Sequence, residues 1–177
     1  MTSSGFTETF ESGTKTSYTA AAVTLSSGSW YFTDAIIGTS SYDTKSGTQS
    51  ARIRNTGKVT MKFDLTAGAG TVAVAHALYG SDASTTWELY KSADAGSTWI
   101  KVGSTVTTSS TTLSTQTFTV NQSGNIRFEI RKASGTGRMN IDDIAVTAYS
   151  STSSDTGAGT GTDSGSTTTT GLADNDA

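Results

Sequence analysis

Apolar and polar residues alternate along most of the first 149 positions with a period of two, the signature of strands with one buried face. The stretch Thr86 to Val102 is the clearest. Trp87, Leu89 and Lys91 alternate with Glu88 and Tyr90, a small polar segment Ser92–Thr98 containing Gly96 follows, and Trp99-Ile100-Lys101-Val102 starts a return strand. That order predicts a hairpin with Gly96 at positive φ. Ala51 and Ile53 alternate with Arg52 and Arg54. After a turn at Asn55-Thr56-Gly57, Val59, Met61, Phe63 and Leu65 alternate with Lys58, Thr60, Lys62 and Asp64. This reads as a half-buried hairpin with a basic outer side. Residues 71–79 are more fully apolar, with alanine on their second face. Ile126, Phe128 and Ile130 alternate with Arg127, Glu129 and Arg131, and a last strand runs from Asn140 to Tyr149.

Weaker signals fill the rest. A short first strand is expected to end at Gly13, residues 16–28 alternate raggedly, and Trp30-Tyr31-Phe32 form an aromatic cluster after a turn. A short strand is expected over 34–38, a polar loop over 39–48, and a Ser/Thr-rich stretch runs from Val102 to Thr117 before Phe118 and Val120. No run of ten residues has helical periodicity with good helix formers. Nine or ten strands between glycine-rich turns predict an all-β fold, an antiparallel β-sandwich of jelly-roll type.

Composition changes this picture at one place. From Ser150 the chain is Ser, Thr, Gly, Ala and Asp with a single Leu, too little apolar area to offset the entropy of ordering it. The expected organisation is one domain over 1–149 and a linker or tail over 150–177. Four of the 15 acids (Asp155, Asp163, Asp174 and Asp176) lie in that tail, so the formal charge of −3 becomes about +1 for the domain. Such a balance suggests neither a nucleic-acid glove nor a polybasic membrane anchor. Without cysteine, disulfides, thiolate metal sites and thiol nucleophiles are excluded. No apolar run approaches 18 residues, so no membrane insertion is expected, and the first residues lack a signal-peptide pattern.

Several landmarks together carry a resemblance. Phe10-Glu11-Ser12-Gly13 opens the domain and Asn140-Ile141-Asp142-Asp143-Ile144 closes it. Between them stand SGSW, KSGTQSARIRNTG, YGSD, TWELYKSADAGSTW and RFEIRK. Over residues 6–149 this order resembles the jelly-roll accessory modules of carbohydrate-binding type, attached to secreted endonucleases and polysaccharide-degrading enzymes of Bacteroidetes-type bacteria. Ser92–Trp99 also resembles the Asp-box, a turn-holding motif of β domains that lies away from catalytic sites. The resemblance implies a secreted or cell-surface protein. It also implies a structural Ca²⁺ bound by Glu11 and by Asp142 or Asp143, joining first and last strands; the alternative is that both Asp cap turns or pair with Arg138. Two adjacent Asp cannot face the same way on a regular strand, so one ligates and the other faces solvent or sits on a bulge.

The candidate ligand-binding residues are Arg52, Arg54, Tyr90, Arg127 and Arg131, all on outer strand positions, with Trp30 as the exposed tryptophan and Tyr79 in a loop. Arginine forks beside an aromatic plate suit an anionic sugar, or phosphate with base stacking; the alternative is a solvated sheet face with ordinary charge pairs. Trp87 is read as core, Trp99 as packed over its own turn, and His76 as a hydrogen-bonded core ring. Glu88 and Glu129 are the one pair of carboxylates considered for glycoside hydrolysis, but nothing near them signals a raised pKa, and no catalytic residue is assigned. The expected function is therefore a monomeric, non-catalytic module. It binds a polysaccharide, neutral or anionic, and is tethered to a partner domain through the 150–177 linker. The alternative is a structural or protein-interaction accessory domain; nucleic acid is the less favoured ligand.

Overall fold

The structure, a computed structural model, describes residues 5–151, so the expected linker lies outside the described residues save for its first two positions. Ten strands account for the domain: β1 Phe6–Glu8, β2 Ala21–Leu25, β3 Gly28–Gly38, β4 Ser50–Met61, β5 Ala69–Leu78, β6 Thr85–Ser92, β7 Ile100–Thr108, β8 Ser114–Gln122, β9 Arg127–Ser134 and β10 Met139–Val146. All pairings are antiparallel. The fold is an antiparallel jelly-roll β-sandwich.

Two long strands make the two layers. The first half of β4 pairs with β10 through Ala51–Ile53, and its second half pairs with β9 through Lys58–Thr60. β3 follows β4 through both halves, with a register shift between Thr33 and Ala35. One layer is thus β2-β3-β4-β9-β6-β7; the other is β3-β4-β10-β5-β8, with β1 against the end of β10. The chain turns the corner where Asp34 and Asn55 take positive φ (46° and 51°). Gly57 is required there by close approach, since a Cβ on it would lie 2.6 Å from the carbonyl oxygens of Thr33 and Asp34. Asn55-Thr56-Gly57 is therefore a bulged corner within one strand and not the turn of a hairpin. In the same way Trp30–Phe32 and 34–38 belong to one strand, and the Ser/Thr-rich 102–117 stretch supplies most of β7 and the start of β8. The first strand lies earlier than expected, at 6–8, and pairs with β10 by Phe6↔Val146 and Glu8↔Ile144.

The core is the set of inward residues of both layers. Trp30, Phe32, Val59, Met61, Trp87, Leu89, Phe128 and Ile130 face Phe10, Ile37, Ile53, Val72, Val74, Met139, Ile141 and Ile144. Trp87 is fully buried, with its ring edge-on to His76 and Phe118. His76 is buried and shares a 2.8 Å hydrogen bond with the Thr108 hydroxyl; burial lowers its pKa, keeping the ring neutral. Both residues are core, as expected. Trp30 is not the exposed tryptophan: it is 1 % exposed, its indole N–H donates to Ser27 Oγ at 2.9 Å, and it packs edge-on against Phe6 and Phe63. Strand β3 starts at Gly28, which puts Trp30 on the inward parity with Phe32 and leaves Tyr31 outside.

Candidate functional site

The outer face of the β2-β3-β4-β9-β6-β7 layer is built by cross-strand pairing. Tyr31 pairs with Thr60, Thr60 with Glu129, Glu129 with Tyr90 and Tyr90 with Lys101. At one residue per strand this row runs straight across the sheet, and from Tyr31 to Tyr90 it spans about 14 Å at the usual strand spacing. A parallel row places Thr33, Lys58, Arg131 and Glu88 side by side. The hairpin turn between β6 and β7 folds over the end of this face. It is closed by its own side chains: Asp94 accepts from Thr98 N (2.9 Å) and Thr98 Oγ1 (2.6 Å), and Ser92 Oγ accepts from Gly96 N (2.8 Å). Gly96 adopts φ 90°, as expected, and Trp99 packs back over it. Between turn and sheet lies a cleft of about 250 Å³ lined by Tyr31, Lys58, Thr60, Lys62, Trp99, Arg127 and Glu129 among others.

The polar groups of the face are fixed in advance. Glu129 is 1 % exposed; it accepts from Thr60 Oγ1 at 2.5 Å, from Lys58 Nζ at 3.4 Å and from Arg131 Nε. The Arg131 guanidinium lies 3.8 Å from the centre of the Tyr90 ring. Tyr90 donates to Glu88 at 2.6 Å, and Glu88 also accepts from Lys101 (2.8 Å) and Thr105 (2.7 Å). Those bonds, Lys101 first, hold the Glu88 carboxyl down at about 2, and the bond to Glu88 raises the Tyr90 phenol. Arg127 pairs with Asp64 at 2.6 Å. The result is a surface of oriented hydroxyls and charged groups with aromatic rings at its margins. It can present donors and acceptors to a polyhydroxylated chain and rings to its apolar faces.

Three of the expected ligand residues therefore come together here: Tyr90, Arg127 and Arg131. Arg52, Arg54 and Tyr79 do not join them, because they belong to the other layer and its loops. Arg52 is held by Asp43 through two bonds of 2.7 and 2.6 Å and stacks on Tyr79 at 4.3 Å, with Arg138 over the same ring at 4.2 Å. Arg54 pairs with Asp34 at 3.0 Å and stacks on Tyr18 at 3.9 Å. These contacts fasten loops to the sheet. Burial alone would raise Asp43, but hydrogen bonds from Arg52 and Asn140 hold it below the usual carboxylate range. Reading the corner of β4 as a hairpin turn is what put Arg52 on the wrong face. Lys62 and Glu129 lie on this face, as their outer parity requires; Tyr31 and Trp99 were missed as site residues, and the parity of Tyr31 against a buried Trp30 was the signal for the first.

The other layer's outer face is covered by residues 39–49. Thr44 N donates to Asn140 Oδ1 at 3.0 Å, and Asn140 Nδ2 donates to Asp43 and Ser50. Asp142 is fully buried beneath this segment and accepts from Ser46 N (2.7 Å) and Asp143 N (2.8 Å). Asp143 takes φ 41° at a register shift between Asp142 and Ala145, the bulge expected of an Asp-Asp pair. Glu11 accepts from Thr48 N and Gln49 N, both at 2.9 Å, and from the Thr48 hydroxyl, the chief cause of its lowered pKa. Residues 46–49 thus tie Glu11, which follows β1, to Asp142 on β10, the last strand. Burial pushes Asp142 up to about 7, and the charges of Asp143 and Glu11 push the same way. Among the described residues no three acidic or histidine side chains form a metal-holding group. Donor type and charge nonetheless suit a hard cation, since Glu11 and Asp142 supply carboxylate oxygens and the field at Asp142 lacks a positive partner.

No protein-family model matches the sequence, and no curated protein matches it. Solved structures match the fold. The K2 cleaved adhesin domain of Lys-gingipain superposes with a TM-score of 0.59 at 14 % identity, over 81 % of this chain and 97 % of that one. The CBM22-1 xylan-binding domain of Paenibacillus barcinonensis Xyn10C gives 0.54 at 10 % identity, over 81 % and 92 %. The C-terminal family 22 carbohydrate-binding module of Clostridium thermocellum Xyn10B gives 0.55 at 14 %, over 81 % and 92 %. At these identities the likeness shows a shared β-sandwich.

Proposed function

We propose that this domain is a non-catalytic carbohydrate-binding module that takes a polysaccharide across the outer face of the β2-β3-β4-β9-β6-β7 layer. The observation that carries the reading is the cross-strand row Tyr31–Thr60–Glu129–Tyr90–Lys101, with Trp99 on the turn that walls its cleft. Pre-ordered polar groups lose little freedom on binding, and exposed rings offer flat apolar area to a sugar. The xylan-binding modules that share the fold support the same reading. A glycosidase is disfavoured on chemical grounds. Glu88 is held ionised by three donors, so it is no poised acid, and the oxygens of the buried Glu129 are engaged by Arg131, Lys58 and Thr60. Asp142, whose pKa is raised, is sealed beneath residues 39–49. In a secreted or surface protein such a module, joined to a partner through 150–177, raises the partner's effective concentration at its substrate.

A structural Ca²⁺ belongs to the same proposal, with Glu11 and Asp142 as its carboxylate donors and Asp143 contributing charge. Such an ion, when bound, neutralises the buried anion of Asp142. Glu11 and Asp142 themselves orient residues 46–49, the strap between the two ends of the domain.

The direct test is calorimetric titration with a panel of oligosaccharides, beside the variants Tyr31→Ala and Trp99→Ala. Each loss of a stacking ring is expected to weaken binding about tenfold or more, at roughly 1–3 kcal/mol per ring. The melting temperature of Tyr31→Ala should stay within a few degrees of the parent, because the side chain is 38 % exposed. Unchanged affinity in both variants would remove the cleft as the binding site.

A further inference from the structure

We infer that the polysaccharide is acidic, one that carries uronate carboxylates along its chain, and that Lys62 is the group that selects it. The inference rests on the carbohydrate reading above. Among the residues lining the cleft are Lys58, Lys62 and Arg127, against the single acid Glu129. Two of these cations are already engaged: Arg127 with Asp64 at 2.6 Å and Lys58 with Glu129 at 3.4 Å. Glu129 also receives Arg131. Lys62 is exposed, and among the described residues no carboxylate lies within ion-pair distance of it. Its ammonium lies 5.9 Å from the centre of the Tyr31 ring, on the cleft side of β4.

That placement has a chemical consequence. A neutral sugar stacked on Tyr31 would strip water from the Lys62 ammonium and return no counter-charge. A sugar carboxylate at the same position would form a charge-assisted hydrogen bond with it, about twice the strength of a neutral one. The excess of positive charge in a half-enclosed cleft also attracts an anionic chain before contact. A carboxylated sugar chain suits the rest of the face better than a nucleic acid does. Glu129, Glu88 and Asp64 stand among the cations, so negative charge is interspersed with positive over this face. A phosphodiester backbone brings a charge at every nucleotide and would set some of them against these carboxylates, whereas a chain whose uronates are spaced by neutral sugars, as in glucuronoxylan, can place its carboxylate at Lys62 and its hydroxyls elsewhere.

The experiment compares homogalacturonan, glucuronoxylan and alginate, each beside its own carboxyl-reduced form, in titrations at low and high salt, with a single-stranded DNA oligomer as a further ligand. At least one acidic polysaccharide is expected to bind about tenfold or more tightly than its reduced form at low salt, with the gap narrowing at high salt. Lys62→Gln should remove most of that gap and Lys62→Arg should keep it. Lys91→Gln, which alters a lysine bonded to Gln122 outside the cleft, should leave the gap as it is. Equal binding of acidic and reduced forms by the parent overturns the acidic preference and leaves the carbohydrate reading standing. A gap that survives Lys62→Gln overturns the role of Lys62. Failure to bind any polysaccharide overturns both readings, and tighter binding of the DNA oligomer reassigns the face to nucleic acid.

Discussion

Replacing Glu8 with alanine is expected to lower the melting temperature by roughly 10 °C or more. Glu8 is fully buried on the short first strand. One oxygen accepts from Phe10 N at 2.8 Å; the other accepts from Ser26 Oγ (3.2 Å), Ser27 N (3.0 Å) and Ser27 Oγ (2.6 Å). Ser27 Oγ in turn receives the indole N–H of Trp30. The side chain therefore ties β1 to the β2–β3 turn and orients the largest ring of that end of the core. Alanine leaves two backbone amides without acceptors beside a cavity, a loss of about 3–5 kcal/mol. Glu8→Gln keeps the shape and one acceptor oxygen and is expected to cost about half as much. Thermal unfolding of both variants decides the point: a shift of only two or three degrees for the alanine variant would show that the β2–β3 turn is held by other means.

The second large effect concerns Asp142 and depends on pH. Its folded pKa, at about 7, lies above the ordinary carboxylate value of 3.8. The folded state therefore binds more protons than the unfolded state between these values. In EDTA, the contribution of Asp142 to stability should be greatest below about pH 4, fall as pH rises through 4 to 7, and level off above 7. The difference between the folded and ordinary values corresponds to roughly 4 kcal/mol over that window. Ca²⁺ at neutral pH is expected to restore most of the loss, because it binds the folded state and neutralises the buried carboxylate. Asp142→Asn should abolish both the fall and the Ca²⁺ effect, while Glu11→Gln should reduce the Ca²⁺ effect and, by removing a charge that raises Asp142, soften the fall. Unfolding curves at pH 4, 5.5 and 7.5, in EDTA and in Ca²⁺, separate these results. A pH profile that is the same in the parent and in Asp142→Asn would show that Asp142 carries no such burden. Curves that coincide in EDTA and Ca²⁺ at pH 7.5 would show that residues 46–49 hold the two ends together without a metal.

The alternation of apolar residues was enough to read the all-β fold, because inward parity survives any error in loop assignment. Trp87, Leu89, Ile126, Phe128 and Ile130 are all buried, as the pattern requires. The layer to which a strand segment belongs was harder to see. Asn55-Thr56-Gly57 has the composition of a turn, yet here it bends one strand round the corner of the sandwich. Period two says whether a side chain points in or out but not which sheet is outside it. Arg52 and Arg131 therefore looked like neighbours when they lie on opposite faces. Glu8 was visible in principle, since it shares parity with Phe6 and Phe10 and an acid at an apolar position signals a buried network. Asp43 and Asn140 gave no such sign, because the loop that covers them has no period. The site residues that were missed, Tyr31 and Trp99, depend on where β3 starts and how the 92–99 turn leans, and both are set by tertiary packing.

A polysaccharide bound on the outer face of the β2-β3-β4-β9-β6-β7 layer would be seen residue by residue in an NMR titration of the domain with the tightest-binding oligosaccharide. The largest amide shifts are expected at Tyr31, Thr60, Lys62, Gly96, Trp99, Arg127 and Glu129, while Arg52, Tyr79, Asn140 and the rest of the opposite face stay in place. Shifts centred instead on residues 39–49 and Tyr79, or on the strand ends, with the Tyr31–Tyr90 row unmoved, would contradict the assignment and place the ligand elsewhere on the sandwich.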